Sequence, residues 1–436
     1  MASPPSTTTF FPVLLLLLLF YVAAIARSQS YIGVNYGTIA DNLPPPSATA
    51  KLLESTSIGK VRLYGADPSI LKALANTNIE ITIGAANSDI PPMATDLNYA
   101  KSWLSSNVLP YYPSTKITLI NVGNEVLQYG EPELKTQLLL AMQNLQTAIN
   151  DVSLGGKVKV STVHSMTVLG QSEPPSAGRF DPSVVDLLKG MLEFNKANGS
   201  PFMINPYPFF AYQTDPRPET LAFCLFEPNP GRPDSGTNIK YMNMFDAQVD
   251  AVRSALNAMS FNDVEIVVAE TGWSYKGDVA EAGASVENAK AYNGNLVNHL
   301  RSMVGTPLMP GKSIDTYLFA LYDEDLKPGK LSEKSFGIYN VDLTPIYDIG
   351  LSKSTSQGGL ATAPAPTLSP PMVAPPASGA TTLPTNSSTT STTPPNTTSP
   401  RGSSTAKVNA SKNAGSLDKV EIIFIVATLL AVVSLL

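Results

Sequence analysis

A chain of 436 residues with a formal charge of −6, two histidines and one cysteine excludes several classes at once. The acidic balance and the lack of basic clusters argue against nucleic acid, while His164 and His299 alone leave no multi-histidine zinc site and make a Ser-His-Asp triad a poor choice. The single cysteine, Cys224, can form no internal disulfide, so the folded part must be held by the size of its core.

In chain order, residues 1–28 read as a secretory signal peptide. Residues 10–26 are apolar and contain six consecutive leucines, and Ala26-Arg27-Ser28 offers a small-x-small cleavage pattern. No Lys or Arg precedes the apolar run, and a retained membrane anchor is the alternative. From 29 to 351, β-rich runs alternate with helical ones. Strands are expected over 31–36, 60–64, 79–84, 116–122, 157–163, 202–205, 264–269 and 316–321. Helices are expected over 47–57, 68–76, 96–109, 134–150, 182–198, 241–260 and 285–304. Asp67 before Pro68, and Asp181 before Pro182, read as N-caps followed by proline at the first helical position.

Eight near-continuous apolar strands separated by helices predict an α/β fold, a (β/α)8 TIM barrel, because strands covered on both faces must be apolar. A doubly wound open sheet is the alternative, but "GVNYGTIADN" after the first strand is not its GxGxxG phosphate loop. The stretch 207–240, rich in proline and aromatics, is too long for an ordinary loop and predicts a small excursion over the barrel mouth after strand six.

Beyond the barrel, residues 352–413 are dominated by Pro, Ser, Thr, Ala and Gly, with no aromatic residue. Such a segment cannot bury enough apolar surface to offset its ordering entropy, and it reads as a disordered, glycosylated stalk. Sequons stand at Asn386, Asn396 and Asn409, and a further one at Asn198 precedes Pro201. Residues 414–436 read as a GPI-anchor signal that is removed, with Asn413 as the ω residue. Its apolar run, 422–436, would span about 22 Å as a helix, short of the ~30 Å hydrocarbon core. A C-terminal transmembrane helix is the alternative. The chain is therefore expected on the outer face of the plasma membrane, in the cell wall.

The chemistry is expected where strands end. "INVGNEVLQYG" (120–130) carries an apolar strand into Gly123, Asn124 and Glu125; "EIVVAETGW" (265–273) repeats the design with Glu270. If these are strands four and seven of an eight-strand ring, the two carboxylates face each other across the mouth. Glycoside hydrolysis needs that arrangement: one carboxyl protonated to release the leaving oxygen, the other ionised, with environment separating two chemically equal groups. Taken singly, each glutamate reads as well as a helix cap, a loop ion pair or a solvated strand end. The matched pair favours catalysis.

Tyr36, Tyr207, Phe209, Phe210, Tyr212, Trp273 and Tyr322 lie at or just past strand ends, where aromatic faces can stack on sugar rings. Trp273, three residues past Glu270, is the leading cleft residue; Phe209 and Phe210 are the first to assign to the core. "YDEDLKPG" places Glu324 and Lys327 after strand eight, as charge support for the site or as an ordinary surface loop. No cofactor or metal is called for.

Read together and in order, "IGVNYG", "VRLYGADPSIL", "INVGNEV", "INPYPFFAY", "VVAETGW", "ENAKAYNGNLV" and "YLFALYDEDLKPG" resemble the family 17 glycoside hydrolases, the plant β-1,3-glucanases, across roughly 31 to 350. The resemblance implies internal cleavage of linear β-1,3-glucan (callose) with retention of configuration. It implies Glu125 as proton donor, Asn124 as a contact to the sugar 2-hydroxyl, Glu270 as nucleophile, and Glu324 with Lys327 as a supporting pair. Tyr36, Tyr207, Phe210, Trp273 and Tyr322 complete the expected substrate contacts. The expected partners are the glucan and, through lipid, a membrane; the chain is expected to act as a monomer. Ser274 stands where the family usually has proline and is expected to loosen its loop; Tyr322 replaces a usual Phe. No Cys-rich carbohydrate-binding module follows the barrel. Two other readings are a β-1,3-glucan transglucosylase and a non-catalytic glucan-binding wall protein.

Overall fold

The structure is a computed structural model that describes residues 31–353; the expected signal peptide (1–28), the stalk from residue 354 on with Asn386, Asn396, Asn409 and Asn413, and the expected anchor signal (414–436) lie outside the described residues. Eight parallel strands close a barrel and follow one another around the ring in chain order. They are β1 (Ile32–Tyr36), β2 (Lys60–Leu63), β3 (Glu80–Ala85), β4 (Lys116–Asn124), β5 (Lys159–Ser165), β6 (Phe202–Asn205), β7 (Ile266–Thr271) and β8 (Thr316–Leu318). Pairing of Gly33 with Lys60 on one side of β1, and of Ile32 with Thr316 on the other, closes the ring. Each strand begins within two residues of its expected start, and the open-sheet alternative falls.

The period-two alternation of strand side chains divides the core into two layers. Leu119, Val163, Met203, Val267, Ala269 and Tyr317 form one buried cluster inside the barrel, where the Tyr317 hydroxyl meets that of Thr82 at 3.0 Å. Ile81, Ile83, Ile120, Val122, Val160, Ile204 and Val268 face the surrounding helices instead. Burying each such side chain contributes about 1.5–3 kcal/mol, which explains how the domain holds together without a disulfide. At the N-terminal end of the strands, Lys60 pairs with Asp315 and Glu80, and Lys116 with Glu80, closing the bottom of the barrel with charge.

Helix starts follow local chemistry. Asp67 Oδ1 accepts from the backbone N–H groups of Ser69 and Ile70, so helix Pro68–Ala73 begins as its cap predicts. Asp181 behaves differently: its Oδ1 accepts from the backbone N–H and hydroxyl of Ser183, closing a turn, and the helix begins only at Val185. The long connection after β6 folds into helices Pro208–Thr214 and Pro218–Cys224 and a ribbon of Arg232–Pro233 against Lys240–Tyr241, the expected excursion. Cys224 is buried there, and burial pushes its thiol up to about 12, which leaves it unreactive. A second ribbon, Leu169–Gln171 against Arg179–Phe180, follows β5 and had no sequence signal.

Candidate active site

Glu125 leaves β4 through backbone that side chains seldom adopt. Gly123 has φ +69°, and a Cβ there would meet Val126 and Asn87. Glu125 itself is left-handed, at φ 54° and ψ 31°, a conformation that costs a non-glycine residue about 1–2 kcal/mol. It is held by its own N–H, which donates to Val163 O of β5 at 2.9 Å, and by the irregular β4–β5 pairing between Asn121 and Asn124. The strain turns the carboxyl out of the strand direction and into the mouth, where Asn205 Nδ2, at the end of β6, donates to Glu125 Oε1 at 2.8 Å. Burial, and then the charge of Glu270, push the Glu125 carboxyl up to about 7, against the opposing pull of Asn205, Arg62 and Lys327.

Glu270, in β7, is held by three donors. Arg62 Nη1 reaches its Oε1 at 2.6 Å and the Tyr64 hydroxyl reaches the same oxygen at 2.8 Å, while the Tyr207 hydroxyl donates to Oε2 at 3.0 Å. Burial, and then the Glu270 charge, hold both tyrosines well above the usual phenol range, so they remain donors. Arg62 is only 1% exposed, and its second arm, Nη2, donates to Asn124 Oδ1 at 2.7 Å. The Asn124 N–H in turn donates to Asn87 Oδ1 at 2.9 Å, so Asn124 is fixed at both ends beside the pair. One guanidinium thus ties the end of β2 to the ends of β4 and β7. The two carboxylates occupy unlike environments, one raised toward neutrality and one in an ion pair, the division of labour that acid–nucleophile chemistry requires.

Glu324 and Lys327 share one turn past β8, in which the Lys327 N–H donates to Glu324 O at 3.0 Å. Burial raises the Glu324 carboxyl, and its Oε1 accepts from the Ile39 N–H at 3.0 Å. A Cβ on Gly37 would overlap that carboxylate, so glycine there permits the close approach. Lys327 Nζ lies 4.5 Å over the Phe319 ring and pairs with Glu333 at 3.2 Å, so its ion-pair partner is Glu333 rather than Glu324.

The aromatic expectations divide. Phe210 is 38% exposed, with the Tyr207 ring 5.2 Å away, and these two present aromatic surface beside Glu270. Trp273 is a correction: it is fully buried, packed against Phe209, Tyr212 and Tyr292, with Nε1 donating to Gly283 O at 2.8 Å, so it supports the site from beneath and offers no face to a ligand. Tyr36 and Tyr322 are buried too and meet edge to face at 5.8 Å, with the Tyr322 hydroxyl 3.1 Å from that of Thr49. Ser274 does not loosen its loop. It is buried, and its hydroxyl lies within 3.0 Å of the carbonyls of Lys276, Ser332 and Ser335, tying the loop to the segment after β8. The amide nitrogen of Asn198 donates to Phe194 O at 2.9 Å, at the end of its helix. A cavity of about 250 Å³ opens beside the carboxylates at the ends of β2 to β4, lined by Arg62, Tyr64, Asn87, Asn121 and Asn124 among others.

Residues 32–351 match the profile of glycosyl hydrolases family 17. The chain belongs to that family. Glucan endo-1,3-beta-glucosidase 7 of Arabidopsis thaliana is 67% identical over 331 residues, 76% of this chain and 66% of that protein; a glucan endo-1,3-beta-D-glucosidase of Olea europaea is 60% identical over 342 residues, 78% and 74%. The chain thus spans about two thirds to three quarters of these two relatives. Among solved structures, CJP38, a beta-1,3-glucanase and allergen of Cryptomeria japonica pollen, superposes with a TM-score of 0.70 at 41% identity, covering 74% of this chain and 99% of that one.

Within this family 17 barrel, sequence reasoning passed over Arg62, Tyr64, Asn87 and Asn205. Arg62 did leave a signal: a charged residue inside an apolar parallel strand must find a buried partner, and the partner is Glu270. Asn205 is visible as the polar end of a buried strand, but its partner Glu125 is reached only through the closed ring.

Proposed function

We propose that this chain is an endo-β-1,3-glucanase that cleaves linear β-1,3-glucan by double displacement. Glu270 attacks the anomeric carbon while Glu125 gives its proton to the departing glycosidic oxygen; Glu125 then takes a proton from water, which releases the sugar from Glu270 with configuration retained. The observation that carries this reading is the asymmetric pair: Glu125 raised to about 7 beside one asparagine amide, and Glu270 gripped by Arg62, Tyr64 and Tyr207. As Glu270 becomes an ester, its charge is lost and Glu125 returns toward an ordinary carboxylate, which suits it to serve next as base. Asn124, with Phe210 and Tyr207, would orient the sugar; Glu324 and Lys327 supply charge around the mouth.

The names of the relatives, two of them glucan endo-1,3-beta-glucosidases, support the substrate class. Reducing-sugar release from laminarin by the full chain, beside its Glu270→Gln variant, tests the proposal. Turnover by the first and not the second is expected; equal rates would overturn it, and products longer than the substrate would make the chain a transglucosylase. The two ends of the sequence further support secretion and attachment by a GPI lipid to the outer plasma-membrane face. Release of the protein from plant cell membranes by a phosphatidylinositol-specific phospholipase checks that, and retention after treatment would count against it.

A further inference from the structure

The loop after β7, residues 272–285, and the segment after β8, residues 319–337, are joined by side chains that take no part in the chemistry above. Ser332, fully buried in the turn Leu331–Lys334, is bonded to that loop through each of its polar groups. Its hydroxyl donates to Glu281 Oε1 at 2.5 Å and its N–H to Glu281 Oε2 at 3.1 Å, while its carbonyl lies 3.0 Å from the Ser274 hydroxyl. Glu281 Oε2 also accepts from the Asp278 N–H at 2.9 Å, and the Tyr275 N–H donates to Ser335 O at 3.0 Å. The loop is itself fixed from beneath, where Trp273 Nε1 donates to Gly283 O.

Glu281 is only 6% exposed, and a carboxylate placed there is costly unless its oxygens are satisfied. Burial pushes its carboxyl up, but the bonds from Ser332 and Asp278 outweigh that and hold it below its ordinary value. Lys330 Nζ stands 3.9 Å off on a largely exposed side chain, so hydroxyl and amide donors, rather than a close ion pair, hold the anion.

The consequence appears one residue further on. Glu333 belongs to the same turn and pairs with Lys327 at 3.2 Å. Lys327 stands 4.5 Å over the Phe319 ring, and its charge opposes the rise of both the Glu125 and the Glu324 carboxyls. Phe319 in turn meets the Tyr207 ring edge to face at 6.3 Å, and Tyr207 donates to Glu270. A lysine stem is flexible, and an ammonium at the edge of solvent keeps one place only when a partner holds it. We propose, on the glucanase reading of the cleft, that Glu281 is a positioning residue for the reaction: through Ser332 it fixes the turn that carries Glu333, and Glu333 sets the place of Lys327.

Glu281→Gln keeps the size of the side chain but offers one acceptor oxygen where three donors converge, and Ser332→Ala removes the hydroxyl from the other partner. In both, kcat on laminarin is expected to fall roughly ten-fold with KM within about two-fold of wild type, the effect of a small misplacement near the reacting bond. Glu270, Arg62 and Lys327 are the charges that bear on Glu125, and of these only Lys327 lies on the segment the variants release. The Glu125 carboxyl should therefore rise, and the alkaline limb of kcat/KM should move to higher pH. Carboxyl carbon NMR of glutamate-labelled protein reads the same titration without turnover, because Glu125 stands at about 7, and Glu125→Gln identifies its signal.

The deciding comparison is made in Lys327→Met. There Glu281→Gln should add nothing to the loss of kcat and should leave the Glu125 titration where it is, because the two residues act in series. A lower melting temperature with an unmoved titration in Glu281→Gln alone would show that Glu281 only stabilises the loop. A fall in the Glu125 pKa would show that Glu333 is released while Lys327 stays. A full further loss of kcat in Lys327→Met would show that the two act independently. Any of the three overturns the proposal, and Ser332→Ala decides it should Glu281→Gln fail to fold. Failure of the wild-type chain to release sugar would instead refute the glucanase reading, and the Glu125 titration would still report whether Glu281 places Lys327.

Discussion

Replacing Arg62 by methionine removes one guanidinium, and with it the side-chain tie between the ends of β2, β4 and β7. The guanidinium is 1% exposed and holds Glu270 Oε1 at 2.6 Å, Asn124 Oδ1 at 2.7 Å and Ala269 O at 3.3 Å. Methionine fills most of the volume but leaves the Glu270 carboxylate buried without its cation, a loss of about 3–5 kcal/mol for a buried pair. At about 1.36 kcal/mol per decade, kcat/KM on laminarin should fall by at least roughly a hundred-fold, with the remaining loss appearing as a lower melting temperature. A second readout is independent of the first. Arg62 holds the Glu125 carboxyl down, so without it that carboxyl should lie above about 7, and the alkaline limb of kcat/KM should move to higher pH. Arg62→Lys keeps the charge, but one ammonium cannot span Glu270 and Asn124 as the planar fork does, and it should recover activity only in part. A folded Arg62→Met variant within three-fold of wild type, with an unmoved alkaline limb, would refute the reasoning.

Asn205→Ala removes the donor that holds Glu125 down; protonation of the acid should then persist to higher pH, shifting the alkaline limb upward in pH–rate profiles, and a downward shift would contradict the assignment. Phe210→Ala should raise KM several-fold with little change in melting temperature, because the ring is a third exposed. Trp273→Phe should do the reverse: it loses the Nε1 bond to Gly283 O and part of a fully buried ring, about 1–3 kcal/mol, and a raised KM with unchanged stability would return Trp273 to the cleft. Gly37→Ala drives a methyl group into the Glu324 carboxylate and should cost about 1–3 kcal/mol in thermal unfolding together with a lower kcat; a variant matching wild type in both would show that Glu324 moves aside freely.

The barrel was legible because its strands are buried on both faces and read as short apolar runs, each ending in a change of composition. The two glutamates stand out for the same reason: each appears where burial should have continued. Other features depend on contacts that no local window contains. Arg62 lies in β2 and answers to Glu270, 208 positions later. Trp273 is three residues from Glu270, yet its ring turns under the site because Gly283 O takes its N–H and Phe209, Tyr212 and Tyr292 surround it. Asp181 has the sequence of a helix cap, but Ser183 captures its carboxylate first, delaying the helix to Val185. Ser274 looks like a loss of rigidity beside the family's usual proline, and only the folded chain brings the carbonyls of Ser332 and Ser335 to its hydroxyl.

Proton NMR of laminari-oligosaccharide hydrolysis, followed from the first minutes, tests the double displacement most directly. The account predicts that the new reducing end appears first as the β-anomer and only later mutarotates. Initial release of the α-anomer would mean a single displacement by water, and Glu270 could not then be the nucleophile.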